Sequence, residues 1–277
     1  MHMLRANYHT HTKFCDGDNT PEEMVKQALD LGFEHLGFSG HMDPDIHMDW
    51  DAYTKEIKRL QKKYADKLDI LMGVELDNMY NDPASCSGAE YIIGSTHFMD
   101  VKTPTPMSVD STTEHIETLC NEFYGGDYLR MCRAYYELEA KIYDKTHCTF
   151  IGHFDLITRF NDQMHFVDET SKQYLDPAKE AMEYLVGEGV PFEINCGAYN
   201  RNRKKYLYPR PELLKVLQDF GGEIFINTDA HQKEKLNAGF DYAIQSALEA
   251  GFTHLNILAH NPVTDEVETK QLALDTL

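Results

Sequence analysis

Eight short apolar runs recur along this 277-residue chain, separated by longer stretches with helical spacing. They read "LRANYH" (4–9), "HLGFSGH" (35–41), "DILMGVELD" (69–77), "EYIIGSTHF" (90–98), "TFIGHFDL" (149–156), "PFEINCG" (191–197), "EIFINTDAH" (223–231) and "FTHLNIL" (252–258). Strands this apolar, alternating with helices, predict a parallel sheet covered by helices. Without a linker, repeat or low-complexity tract, the rhythm predicts one α/β domain over residues 1–277, a closed barrel of seven or eight units. Helix starts and stops are legible. Thr20-Pro21-Glu22-Glu23 is a capping box with proline at the first helical position. "PELLKVLQDFGG", from Pro211, has helical apolar spacing and stops at Gly221-Gly222. The stretch from Met99 to His147 breaks the rhythm. Its first part, "MDVKTPTPMSVDSTTE", predicts a loop over a site, and "DYLRMCRAYYELEAKIYD" a helix.

The downstream ends of the runs carry the chemistry. His9 and His11 end the first run, His41 the second, Glu75 the third and His97 the fourth. His153 lies in the fifth, Glu193 and Asn195 in the sixth, Asp229 and His231 in the seventh. In a parallel barrel these ends meet on one face, where such enzymes keep their active sites. One histidine at a strand end is ordinarily a packing residue; a whole ring of histidines and carboxylates is not. Imidazole with carboxylate suits Zn, Fe or Mn. Alternate strand residues share a face, so His9 and His11 can share an ion. Asp16, in the turn that follows, can reach a neighbouring one, and Glu75 can bridge two. The expectation is two or three divalent metal ions.

Bulk properties narrow the partners. There are 46 acidic and 26 basic residues, a net charge of −20. Polymeric nucleic acid needs a basic face and is disfavoured; a small phosphorylated substrate is not, because metal ions reverse the local field. No apolar run approaches a membrane span, and "MHMLRANYH" lacks the features of a signal peptide. Six cysteines without C-x-x-C spacing read as reduced thiols, so the expected location is cytoplasmic. Oligomeric state is left open.

"YHTHTKFCDG", "FSGH", "GVELD", "STHF", "IGHFDL", "INCGAYNR" and "NTDAH" resemble, in order and spacing, the polymerase-and-histidinol-phosphatase (PHP) superfamily. Within it the chain is similar to the monofunctional histidinol-phosphate phosphatases of the Gram-positive type. The resemblance spans about residues 5 to 260 and implies a distorted (β/α)7 barrel holding three metals. It implies one ion on His9, His11, Glu75 and Asp229, and a second on bridging Glu75 with His97 and His153. A third would sit on Asp16, His41 and His231, with an acid at Asp16 where many relatives have histidine.

The implied reaction is hydrolysis of L-histidinol phosphate, a step of histidine biosynthesis, by a metal-bridging hydroxide attacking phosphorus, with Glu75 and Asp229 central to the site. The bases nearest the motifs are Arg159 and Arg201, whose guanidinium forks suit phosphate; the resemblance implies that both contact it. Arg203, Lys204 and Lys205 are adjacent, where a solvated loop is the plainer reading. Ser95 and Thr96 are candidate donors to a phosphate oxygen, with strand-end packing as the alternative. Asp43, Asp45 and Asp49 are candidate partners for the cationic substrate, and Trp50 and Phe98 for its ring, against surface and core roles. Glu193 and Asn195 are expected to orient ligands. Cys15 and Cys196 lack the paired base of a nucleophile. His2, His35, His47, His115, His147, His165, His254 and His260 match no ligand position. Another small phosphomonoester or nucleotide is the second reading of the same site, and a non-catalytic metal-binding module the third.

Overall fold

The computed structural model describes residues 3–80, 82–103 and 106–277. Met1, His2, Asn81, Pro104 and Thr105 lie outside them, so the readings of His2, the first two residues and the middle of the Met99–Glu114 loop do too.

Ten strands are present among the described residues: β1 (Ala6–Asn7), β2 (His35–Phe38), β3 (His41–Met42), β4 (Asp69–Asp77), β5 (Tyr91–Ser95), β6 (Phe150–Ile151), β7 (Phe192–Asn195), β8 (Ile224–Asn227), β9 (His254–His260) and β10 (Val267–Ala273). Seven of them form a parallel sheet in the order β1-β2-β4-β5-β6-β7-β8. After a break at Ser39-Gly40 the path of β2 resumes as β3, which pairs His41 with Glu75 on β4. The sheet closes beyond its regular strands: Thr10 and Ala230 form a parallel bridge, with His11 N donating to Ala230 O (2.9 Å) and Ala230 N to His9 O (3.1 Å). Below that bridge Asn227 stands in for a ladder, its Oδ1 accepting from Tyr8 N at 2.8 Å. The result is a distorted, nearly closed (β/α)7 barrel.

The eighth apolar run is not a barrel strand. β9 pairs antiparallel with β10 and lies across the upstream ends of the strands. His260 bonds Asp69 at the start of β4 (2.6 Å) and Asn256 bonds Glu223 just before β8 (2.7 Å). The Tyr8 hydroxyl reaches down to Leu258 O at 2.7 Å. Aromatic rings fill the barrel above this floor: Phe150 stacks on Phe225 at 4.6 Å, and the Tyr91 hydroxyl donates to Tyr8 O. Tyr91 fits because Gly73 faces it; a Cβ there would stand 2.2 Å from the ring.

Helices cover the outside. Thr20 caps the Pro21–Asp30 helix with both bonds of the capping box, and the Pro211–Asp219 helix stops before Gly221, whose φ is +76°. The Met99–His147 stretch holds more helix than its sequence suggests. A Thr113–Phe123 helix follows the loop, and the next helix divides into Tyr128–Glu139 and Ile142–Thr146. No helix among the described residues is long and apolar enough to cross a membrane. All six cysteines are free thiols.

Candidate metal centre

The downstream ends of the barrel strands bring His9, His11, Asp16, His41, Glu75, His97, His153, Asp229 and His231 together. Glu75 sits at the middle, 1% exposed. Its Oε2 lies 3.1 Å from His9 Nε2, 3.4 Å from His11 Nε2 and 3.1 Å from His41 Nδ1. Its Oε1 lies 2.8 Å from His153 Nε2 and 3.3 Å from His97 Nε2. The Asp229 Oδ1 is 3.3 Å from His11 Nε2. Asp16 reaches the cluster because the chain reverses at Gly17, where a Cβ would stand 2.5 Å from the His11 backbone. Its carboxylate meets His231 Nε2 at 3.1 Å, and His11 stacks between the rings of His41 (4.4 Å) and His231 (4.2 Å).

Four overlapping sets have ligand atoms mutually within 4.8 Å: His11, Asp16, His41 and His231; His9, Glu75 and His153; His9, His11 and Asp229; His41, Glu75 and His97. The partition implied by resemblance differs in detail, since His11 also joins the Asp16 set and His41 also joins Glu75 and His97. The donor set fits divalent metal. His9 Nε2, His11 Nε2, His41 Nδ1 and Glu75 Oε2 are buried without a hydrogen-bond partner, a cost that folded proteins avoid unless something occupies the lone pairs. Burial pushes the pKa of His11 down to about 3, helped by the neighbouring His231 and His41, which keeps the ring in the neutral, metal-binding form. Burial alone would raise the Glu75 carboxyl, yet His9, His41 and His97 hold it well below the usual range.

A carboxylate sphere behind the ligands orients them, as metal sites require. Glu193 accepts from His9 Nδ1 (2.8 Å), turning Nε2 toward Glu75, and its other oxygen accepts from His153 N (3.1 Å). Asn195 donates to Glu193 at 3.0 Å. Asp77, which the sequence reading did not single out, accepts from His97 N (2.7 Å) and Nδ1 (3.2 Å). Asp229 itself holds a left-handed φ of +50°, rare away from glycine.

Above the cluster lies a cavity of about 320 Å³ lined by ligands and by Asp110, Arg159, Arg201, Arg203 and Tyr208. Arg201 donates to Asp229 Oδ2 (3.1 Å) and Arg159 to Asp110 Oδ2 (2.8 Å). Asp110 went unnoticed in the sequence because its loop has no periodicity to mark it.

Other candidates sit elsewhere. Ser95 is fully buried and donates to Glu75 Oε1 at 2.7 Å, so its hydroxyl supports a ligand rather than facing the cavity. The neighbouring Thr96 hydroxyl accepts from Asn78. Asp43 folds its own loop, accepting from Asp45 N and Ile46 N, and Asp49 caps the helix beginning at Trp50. Trp50 bonds Ser87 O, and Phe98 is buried. Lys204 is not on a solvated face: it is buried and bonded to Glu169 (2.9 Å) and Thr158 O (3.1 Å). Cys15 is half-buried and, unlike the sequence expectation of no neighbouring base, its Sγ lies 3.6 Å from His11 Nδ1; it also donates to Thr12 O, and burial pushes the thiol up to about 12.

Residues 7–197, more than half of the chain, match the PHP domain. A probable histidinol-phosphatase of Schizosaccharomyces pombe is 24% identical over 97% of this chain and 94% of its own. Another, of Deinococcus radiodurans, is 26% identical over 88% and 92%. The crystal structure of Lactococcus lactis histidinol phosphate phosphatase, complexed with Zn, L-histidinol and phosphate, superposes with a TM-score of 0.72. It is 21% identical and covers 93% of this chain and 98% of its own. The strand order, the ring of ligands and the domain match agree: this chain belongs to the PHP domain family.

Proposed function

We propose that the chain hydrolyses L-histidinol phosphate to L-histidinol and inorganic phosphate, with two or three divalent ions, zinc, iron or manganese, as cofactor. The observation that carries this reading is a cluster of nine side chains of metal-binding type, seven of which line one cavity together with Arg159 and Arg201. The histidinol-phosphatase relatives, and the ligands of the Lactococcus protein, support the choice of ester.

Divalent ions in such a site acidify water and offset charge on phosphate oxygens. The chain's own residues do the rest. His9, His11, Glu75 and Asp229 would hold an ion at the deep end, with His97 and His153 on one side and Asp16, His41 and His231 on the other. Arg159 and Arg201 supply paired N–H donors for the phosphoryl group. Each is oriented by a carboxylate, Asp110 or Asp229, so little side-chain freedom remains to be lost on binding. Glu193, Asp77 and Ser95 keep the ligands aimed.

The test is phosphate release from L-histidinol phosphate, p-nitrophenyl phosphate and AMP by one preparation of known metal content. Strong preference for histidinol phosphate is the expected result. Even turnover of all three would discard the histidinol assignment, and bound metal without turnover would discard the phosphatase.

A further inference from the structure

A second cleft, of about 1050 Å³, adjoins the metal cavity and shares Arg159 and Arg203 with it. Its other charged lining residues are Lys204, Lys205, Lys235 and Asp162, so five cations face one acid in a chain of net charge −20. Two of the cations are spoken for: Arg159 by Asp110, and Lys204 by Glu169 and Asp162. Arg203, Lys205 and Lys235 have no side-chain hydrogen bond or ion pair among the described residues. Local backbone geometry separates the two arginines of this loop. Asn202 takes a left-handed φ of +54°, a conformation asparagine tolerates. Arg201 turns to Asp229 and His231, while Arg203 lines the seam between the two spaces.

Unpaired cations lining one cleft favour an oxyanion there, which can accept their N–H bonds. The cleft is also the wrong sign for the ammonium and imidazole of histidinol. We infer that this cleft is a second oxyanion subsite, taking a phosphate group through Arg203, Lys205 and Lys235 beside the phosphate at the metal centre. The identity of the anion rests on the phosphatase reading. Its source is either released inorganic phosphate or the second phosphoryl group of a bisphosphorylated ester.

The experiment is equilibrium dialysis of labelled inorganic phosphate against the metal-loaded protein, comparing wild type with the double variant Lys205→Gln/Lys235→Gln and with Arg203→Gln. Lys205 and Lys235 are exposed and outside the metal cavity, so the double variant is expected to keep its metal and its turnover of p-nitrophenyl phosphate. Wild type should bind about two phosphates per chain, and either variant should weaken the second on the order of tenfold, the effect of lost charge-assisted bonds. Hexane-1,6-diyl bisphosphate separates the sources. A kcat/KM above that of hexyl phosphate, lost in the double variant, assigns the subsite to substrate. Two bound phosphates without that preference assign it to product. A single bound phosphate, unchanged in both variants and with no bisphosphate preference, overturns the inference. Dialysis does not require turnover, so an inactive enzyme that binds a second phosphate would sink the phosphatase reading and leave the subsite standing.

Discussion

Asp229 is held from both sides: its Oδ2 accepts from Arg201 at 3.1 Å while its Oδ1 lies 3.3 Å from His11 Nε2. One carboxylate thus links the histidine cluster to Arg201, one of the two arginines proposed to bind the phosphoryl group. Burial would raise its pKa, but Arg201 foremost and His9 after it hold the carboxyl well below the usual range. Replacing Asp229 with alanine should remove metal and activity together, with kcat down by roughly a hundredfold or more, the scale seen when a metal site's support is lost. Arg201→Ala should lower activity and, by freeing Asp229, part of the metal content. Plasma-emission metal analysis alongside kcat checks both; full metal occupancy in Asp229→Ala would refute its ligand role.

Arg159 has no such link to the ligands, since its partner is Asp110. Arg159→Ala is expected to raise KM by roughly tenfold or more, the size of a lost charge-assisted bond, with metal content unchanged. Steady-state kinetics on metal-replete enzyme decides it. If KM and kcat were both untouched, Arg159 would not bind the phosphoryl group.

Chelation should destabilise the fold. A ligand bound only by the native state adds stability that grows with the logarithm of its concentration over Kd, and the buried lone pairs of His9, His11 and Glu75 are exposed to that loss. Treatment with a strong chelator is expected to lower Tm by several degrees and zinc to restore it. An unchanged Tm would mean that the ligand cage is stable empty.

The floor of the barrel carries a pH-dependent latch. His260 meets both Asp69 and Glu90. Burial lowers its pKa, but bonding to Asp69 outweighs that and the net shift is upward. Asp69, despite partial burial, is drawn down to about 2 by His35 and His260. A raised histidine stabilises fully below its unfolded-state value of about 6.5 and loses that contribution as pH climbs through the folded-state value. A depressed carboxyl stabilises above about 4 and loses it as pH falls toward about 2. The Tm difference between wild type and His260→Ala should therefore be largest between about pH 4 and 6.5 and shrink in alkali. Melting curves across pH measure it, and a difference that grew with pH would contradict the latch.

Gly73→Ala tests the barrel core. The new methyl would meet the Tyr91 ring at 2.2 Å, and overpacking of this kind costs about 3 kcal/mol. Urea unfolding should show that loss.

The sequence revealed most where geometry is periodic. Strand alternation put His9 and His11 on one face, and parallel topology carried His41, Glu75, His97, His153 and Asp229 to one end, so the clustering of these side chains was legible in the sequence. Features set by long-range contact were not. Asp110 is tied to Arg159 across 49 positions from within an aperiodic loop. Ser95 stands beside ligand His97, yet the partner of its hydroxyl is Glu75, on the adjacent strand. The run at 252–258 has strand periodicity, but its partner "VETKQLA" is too polar to announce a hairpin. Lys204 reads as one of a basic string, and only tertiary packing shows it buried beside Glu169.

The bridge between Thr10 and Ala230 has a consequence for how the molecule is made. It joins the two ends of the sheet, and the Tyr8–Asn227 bond beneath it spans 219 positions. His9 and His11 lie on one side of that seam, Asp229 and His231 on the other. A nascent chain released from the ribosome short of residue 231 carries His9 and His11 without His231, so it cannot complete the cluster. The cluster is therefore completed only in a chain synthesised through residue 231, with its seventh barrel strand brought home beside the first.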